Sequence, residues 1–199
     1  DFQDLTGQRR SNSKYATFST AVTQAPHAYL IRALKHSNFF DVVERVSLDA
    51  VTKERQLIRS TRETFDEDKK LMPLKFGDMV MTGGVLSYDK TESAGIGARY
   101  LGLGASRKVR KDQITVSLRT VSVSTGRILT EVLVTKSVFS ASLDNDVFRF
   151  ISEGTELVEI EGGSVANEAM SIALQIAIET AVLETIKEGV INNYWRYKE

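Results

Sequence analysis

The residues able to do chemistry in this chain are few and badly placed for it. His27 and His36 are its two histidines, set nine residues apart with no carboxylate pair at a ligand spacing, so they predict surface or helix-capping roles and no metal site. The many serines have no candidate base beside them in any recognisable arrangement. Residues 95–104, Gly-Ile-Gly-Ala-Arg-Tyr-Leu-Gly-Leu-Gly, superficially resemble a phosphate-binding loop. Such a loop needs a helix N-terminus after it, whose amides hold the anion. Downstream, Arg107–Thr120 is β-branched, charged and alternating, so nucleotide binding is not expected. No catalytic constellation can be named, no cofactor is implied, and the chain is expected not to be an enzyme.

Glu153, Glu156, Glu159 and Glu161 are interleaved with Leu157, Val158 and Ile160. In a soluble protein that pattern is the wet face of an edge strand. In a membrane barrel it would put charge in a water-filled lumen, with Val158 and Ile160 toward lipid. The basic cluster Arg107-Lys108-Val109-Arg110-Lys111 has the same two readings, a solvated hairpin end or a position at the membrane boundary.

Composition narrows the classes. The 199 residues suffice for one domain with a sizeable core, and 42% hydrophobic content with two prolines predicts order. Twenty-six basic residues balance twenty-six acidic ones, so no net field draws the chain to nucleic acid. The absence of cysteine excludes a disulfide scaffold and thiolate chemistry. The most hydrophobic stretch, Ala169–Ile186, is interrupted by Gln175, Glu179 and Glu184, so no transmembrane helix is predicted. Asp1-Phe2-Gln3-Asp4 reads as the end of a strand already under way, and residues are expected before it.

The elements follow from periodicity. Three- and four-residue spacing predicts a helix over Thr20–Leu34, capped by Ser19 or Thr20, and a second helix carrying Leu48, Val51, Arg55 and Ile58, capped by Ser47. Phe39–Val43 reads as a short strand between them, and the charged run Arg62–Lys70 as a solvated connection. Met79–Ser87 alternates as a strand, in which Gly83-Gly84 predicts a bulge or a close backbone approach. Ile114–Val123 and Ile128–Thr135 predict a long antiparallel hairpin turning at Ser124–Arg127. Asn167 is expected to cap a final core helix ending near Gly189. The class is α+β, a sheet with helices segregated to one face, in a single domain over residues 1–199.

Two segments fit that domain poorly. Four glycines in ten residues make neither a good helix nor an ordinary strand, and Thr135–Ile160 mixes weak alternation with apolar and aromatic clusters. Both read as β-hairpins entering a membrane, where every backbone group must pair. Hairpins at about 91–111, with a tip near Tyr100–Gly102, and at about 141–161, with a tip around Phe150–Gly154, would give arms of about ten residues, enough for tilted transmembrane strands. Tyr100, Leu101, Phe148 and Phe150 would then supply tips and an interfacial girdle. Four strands cannot close a barrel, so this reading requires a symmetric ring of subunits.

The chain resembles the CsgG family, the outer-membrane secretion channels of the curli amyloid system. The resemblance rests on Gly97-Ala98-Arg99-Tyr100 with Gly102 and Gly104, Asp112-Gln113-Ile114, Val121–Gly126 with Ile128-Leu129, Val147–Ile151, Ile178-Glu179-Thr180 and Phe18–Val22. It implies a nine-membered ring in which each protomer gives two hairpins to one shared barrel, a periplasmic α+β vestibule, and a lipid-anchored N-terminus absent from this sequence. It implies unfolded secreted subunits as cargo, outer-membrane lipids as surroundings, and periplasmic cap and extracellular accessory proteins as partners. It also implies ungated, nucleotide-independent diffusion through a constriction made by the loop after the first strand, here about residues 8–18. The family lines that constriction with a tyrosine, an asparagine and a phenylalanine. Phe18 aligns directly, Thr17 stands where the asparagine would be, Tyr15 is the shifted candidate for the tyrosine, and Asn12 is the candidate amide. Relatives that assemble the holdfast anchor of stalked bacteria share these motifs, so the cargo stays open. Outside the family, the alternative is a soluble periplasmic structural or binding protein.

Overall fold

The computed structural model describes residues 2–9, 22–65, 67–94, 108–143, 147–151 and 165–197. They form an α+β fold with elements in the order β1 (Phe2–Asp4), α1 (His27–Ser37), α2 (Leu48–Thr64), β2 (Met79–Ala94), β3 (Lys108–Ser122), β4 (Ile128–Leu143), β5 (Val147–Ile151) and α3 (Val165–Ile191). The five strands lie in sequence order in one sheet, with β1 parallel to β2 and the rest antiparallel.

Alternation places Ile114, Val116 and Leu118 of β3 on the same face as Val132 and Val134 of β4, and α3 packs on those two strands with α1 alongside it. Leu174, Ala177, Ile178, Ala181 and Val182 of α3 fill the space between, and Leu30 and Leu34 of α1 complete the core. A close-packed interior of this kind holds an element in one register, because a one-residue slip would turn every apolar side chain outward.

Several expectations are corrected. The first helix begins at His27, not Thr20, because Pro26 is tolerated only at a helix start, and it stops where Asn38 turns left-handed at φ 51°. Ser47 makes no side-chain cap to α2. Instead, Glu44 Oε1 accepts hydrogen bonds from the amides of Val46 (2.6 Å) and Ser47 (2.8 Å), and these hold its carboxyl below the usual carboxylate range. Phe39–Val43 is not a strand. Phe39 and Phe40 are taken up in an edge-to-face cluster with Trp195, at 6.5 and 5.4 Å between ring centres, so ring packing rather than strand pairing fixes this segment. The solvated connection begins later than Arg62, since α2 continues to Thr64. Asn167 lies within α3 rather than at its cap, and the helix runs past Gly189 to Ile191. Gly189 serves packing: a Cβ there would stand 1.9 Å from the Trp195 ring.

Candidate functional site

Along β3 the core-facing residues change character toward the strand's start. After Leu118, Val116 and Ile114 the same face carries Asp112 and Arg110, with 0% and 4% exposure. Arg110 Nη2 donates to Asp112 Oδ1 at 2.6 Å, the Tyr88 hydroxyl donates to the same oxygen at 2.6 Å, and Arg110 Nη2 lies 3.3 Å from that hydroxyl. Tyr88 reaches the cluster because of a bulge. Val85 pairs with Val116 and Tyr88 with Ile114, the register slipping between Val85 and Ser87. Were Leu86 paired in a regular ladder instead of bulged, Tyr88, three residues beyond Val85, would fall on the opposite face. Burial first, and the Asp112 carboxylate second, push the Tyr88 phenol up to about 12.

The expected bulge is therefore real but displaced from the glycines, which serve close approach instead. A Cβ on Gly83 would stand 2.0 Å from the Ser117 carbonyl oxygen, and one on Gly84 2.4 Å from that of Gln3. Gly84 thereby admits β1 beside β2, with Phe2 opposite Gly83 and Asp4 opposite Val85.

Beyond β1 the chain leaves toward residues 8–18 and returns at Val22, which is 1% exposed. The two ends of that excursion are tied together. Asp4 Oδ1 accepts hydrogen bonds from the Thr6 amide (3.0 Å) and hydroxyl (2.7 Å), Asp4 Oδ2 accepts one from Gln24 Nε2 at 3.2 Å, and the Leu5 amide bonds Val85 O at 3.0 Å. The loop base thus sits at the level of the bulge, at Val85, three residues before Tyr88 on β2.

From that level β2 and β3 continue as one ladder, through Lys90 opposite Asp112 and Thr91 opposite Lys111 to Ala94 opposite Lys108. On the other face of the sheet, Lys111 stands opposite Phe139 with its ammonium 5.8 Å from the ring centre. The second hairpin is corrected. Its tip is not around Phe150, because Leu143 pairs with Val147, Phe148 with Ser142 and Phe150 with Ser140. The turn falls between Leu143 and Val147, and Phe148 and Phe150 lie on β5.

The candidates Asn12, Tyr15, Thr17, Phe18, Tyr100, Leu101, Glu153, Glu156, Glu159 and Glu161 lie outside the described residues. Arg110 is not part of a solvated hairpin end but buried. Sequence reasoning missed the Tyr88–Arg110–Asp112 cluster, whose signal was parity: Arg110 and Asp112 share the period-two phase of Ile114 and Leu118. Among the described residues no group of histidine and carboxylate side chains is placed to hold a metal. A cavity of about 310 Å³ beside α2 is lined by Glu54, Leu57, Ile58, Thr61, Arg62, Phe65 and Glu67, without a nucleophile beside a base.

Comparison with known proteins shows the family to which the chain belongs. Residues 1–199 match the family described as curli production assembly/transport component CsgG. The proteins of that name from Escherichia coli K12, Citrobacter koseri and Salmonella typhimurium are each 38% identical over 200 residues, covering 98% of this chain and 72% of the relative. A match over the full chain, on a fold that ties a loop to the root of a strand ladder, places this chain in the CsgG family.

Proposed function

We propose that this chain is a protomer of an outer-membrane secretion channel, exporting unfolded curli-type amyloid subunits through an oligomeric pore. The observation that carries the reading is the β2–β3 ladder. It leaves the apolar core and passes a buried ionic cluster, and it remains fully paired to Ala94 and Lys108. A strand pair that enters lipid needs every backbone group satisfied, and a ladder already in register at its root supplies that continuity. Two hairpins leave open edges, so closure requires neighbouring copies, and a ring of nine would contribute about 36 strands, within the known range of such barrels.

In this reading the α+β part faces the periplasm. The loop of residues 8–18 narrows the channel with Phe18, Thr17, Tyr15 and Asn12. The pinch at Asp4, Thr6 and Gln24 fixes where the loop springs from the sheet, so each copy would aim it alike. An extended chain passes such a ring while a folded domain is excluded by size, and transport needs no nucleotide or gate. A periplasmic cap and extracellular accessory proteins complete the system.

The test replaces residues 95–107 by a two-residue Asn-Gly turn, which suits the register at Ala94 and Lys108. The shortened protein is expected to fold, to leave the integral outer-membrane fraction and to lose export of amyloid subunits. Export undiminished by that replacement would contradict the proposal.

A further inference from the structure

Residues 41–78 form an arm that the rest of the chain does not bury. No residue of α2 is buried. Its inner side is covered instead by the segment 67–78, which runs back along it. Three arginines hold that segment: Arg45 Nη2 bonds Lys75 O at 2.8 Å, Arg55 Nη2 bonds Met72 O at 2.6 Å, and Arg62 Nη1 bonds Lys69 O at 2.5 Å. The accepting carbonyls recur every three residues, as in an extended strand of polyproline type. The arm is anchored at its root by Phe39 and Phe40 against Trp195.

The strapped arm presents apolar side chains to water. Phe76 is 92% exposed, Met72 83% and Phe65 74%, with Leu57 and Val46 also exposed. Two phenylalanines bury about 150–250 Å² each when covered. With the three aliphatic neighbours that approaches the about 800 Å² per partner of a standard interface. Charge argues for a protein occupant over a lipid surface. The arm carries eight basic and nine acidic residues, whereas interfacial membrane helices are rich in lysine and arginine.

A matching surface exists on the same chain. The side of α3 turned away from the sheet exposes Ile176, Leu183 and Ile191, spaced seven and eight residues apart on one helical face. A helix apolar around most of its circumference is one that is covered on all sides. Two different unpartnered surfaces on one chain make a head-to-tail contact, the kind that generates rings.

We infer that the arm of one copy lies across the outer face of α3 of the next, burying Phe76 and Met72 against Leu183 and Ile176. The inference rests on the proposed ring and names the surfaces that join it. With no native cysteine in the chain, the contact can be read by oxidative cross-linking of the full-length protein extracted from outer membranes in detergent. The Met72→Cys/Leu183→Cys double variant is expected to give a ladder of covalent multimers, and each single variant none. Assembled rings without cross-linked multimers, cross-links confined within single chains, or dimers from Met72→Cys alone would overturn the inference and leave the ring standing. Absence of any ring in the unmodified protein would instead remove the ring reading itself, and this inference with it. A second variant, Phe76→Asp, is expected to lower the ring fraction at least tenfold with unchanged far-ultraviolet circular dichroism. An undiminished ring fraction in that variant would also overturn the inference.

Discussion

Asp112 has no exposure to water, and its charge is balanced within the sheet by Arg110 and the Tyr88 hydroxyl. Removing one partner of such a cluster costs more than the pair contributes. Asp112→Ala, which strands the Arg110 guanidinium, should destabilise by about 3–5 kcal/mol, and Tyr88→Phe by about 1 kcal/mol, both read from thermal unfolding in detergent. Replacing Arg110 and Asp112 together by leucine should cost less than Asp112→Ala. Because the Tyr88 phenol is raised from 10.0 to about 12, the fold keeps a proton that the unfolded chain releases. That stabilisation is complete below pH 10 and is lost as pH rises from 10 through 12. Unfolding measured across this window should therefore show a steeper fall for the unmodified protein than for Tyr88→Phe; equal slopes would show that Tyr88 is not the group responsible.

At the scale of elements, the bulge at Leu86 and the glycine pair before it decide where the sheet can pass from core to hairpin. The long strands, their turn at Ser124–Arg127 and the core face of α3 were legible in the sequence because period-two and period-3.6 patterns persist there over many residues. Element ends were less legible, since they depend on partners distant in sequence. Phe39–Val43 reads locally as a strand, but Trp195 captures its rings; Gly189 reads as a stop, but its missing side chain makes room for that same tryptophan. Trp195 is the single tryptophan of the chain, and its Nε1 bonds Ile186 O at 2.9 Å. Gly189→Ala should displace it and shift its fluorescence emission to the red, whereas an unchanged spectrum would mean that the ring packs elsewhere. The buried cluster was hidden by the habit of reading a basic run as solvated. The tip of the second hairpin was misplaced because arm length was counted from composition, while the register that sets it, Leu143 opposite Val147, is a property of paired strands.

For the whole molecule, a single α+β body holds three features at one end of its sheet: a loop base pinned by Asp4, a bulged β2 locked to β3 through Tyr88, and a ladder continuing outward. Family membership and this arrangement together favour a protomer that contributes to a shared pore. Single-channel current across a planar bilayer tests that claim most directly, using protein extracted from outer membranes in detergent. The unmodified protein should give a large, stable conductance, and Phe18→Ala should raise it by widening the constriction. A well-folded, assembled sample that passes no current would contradict the account.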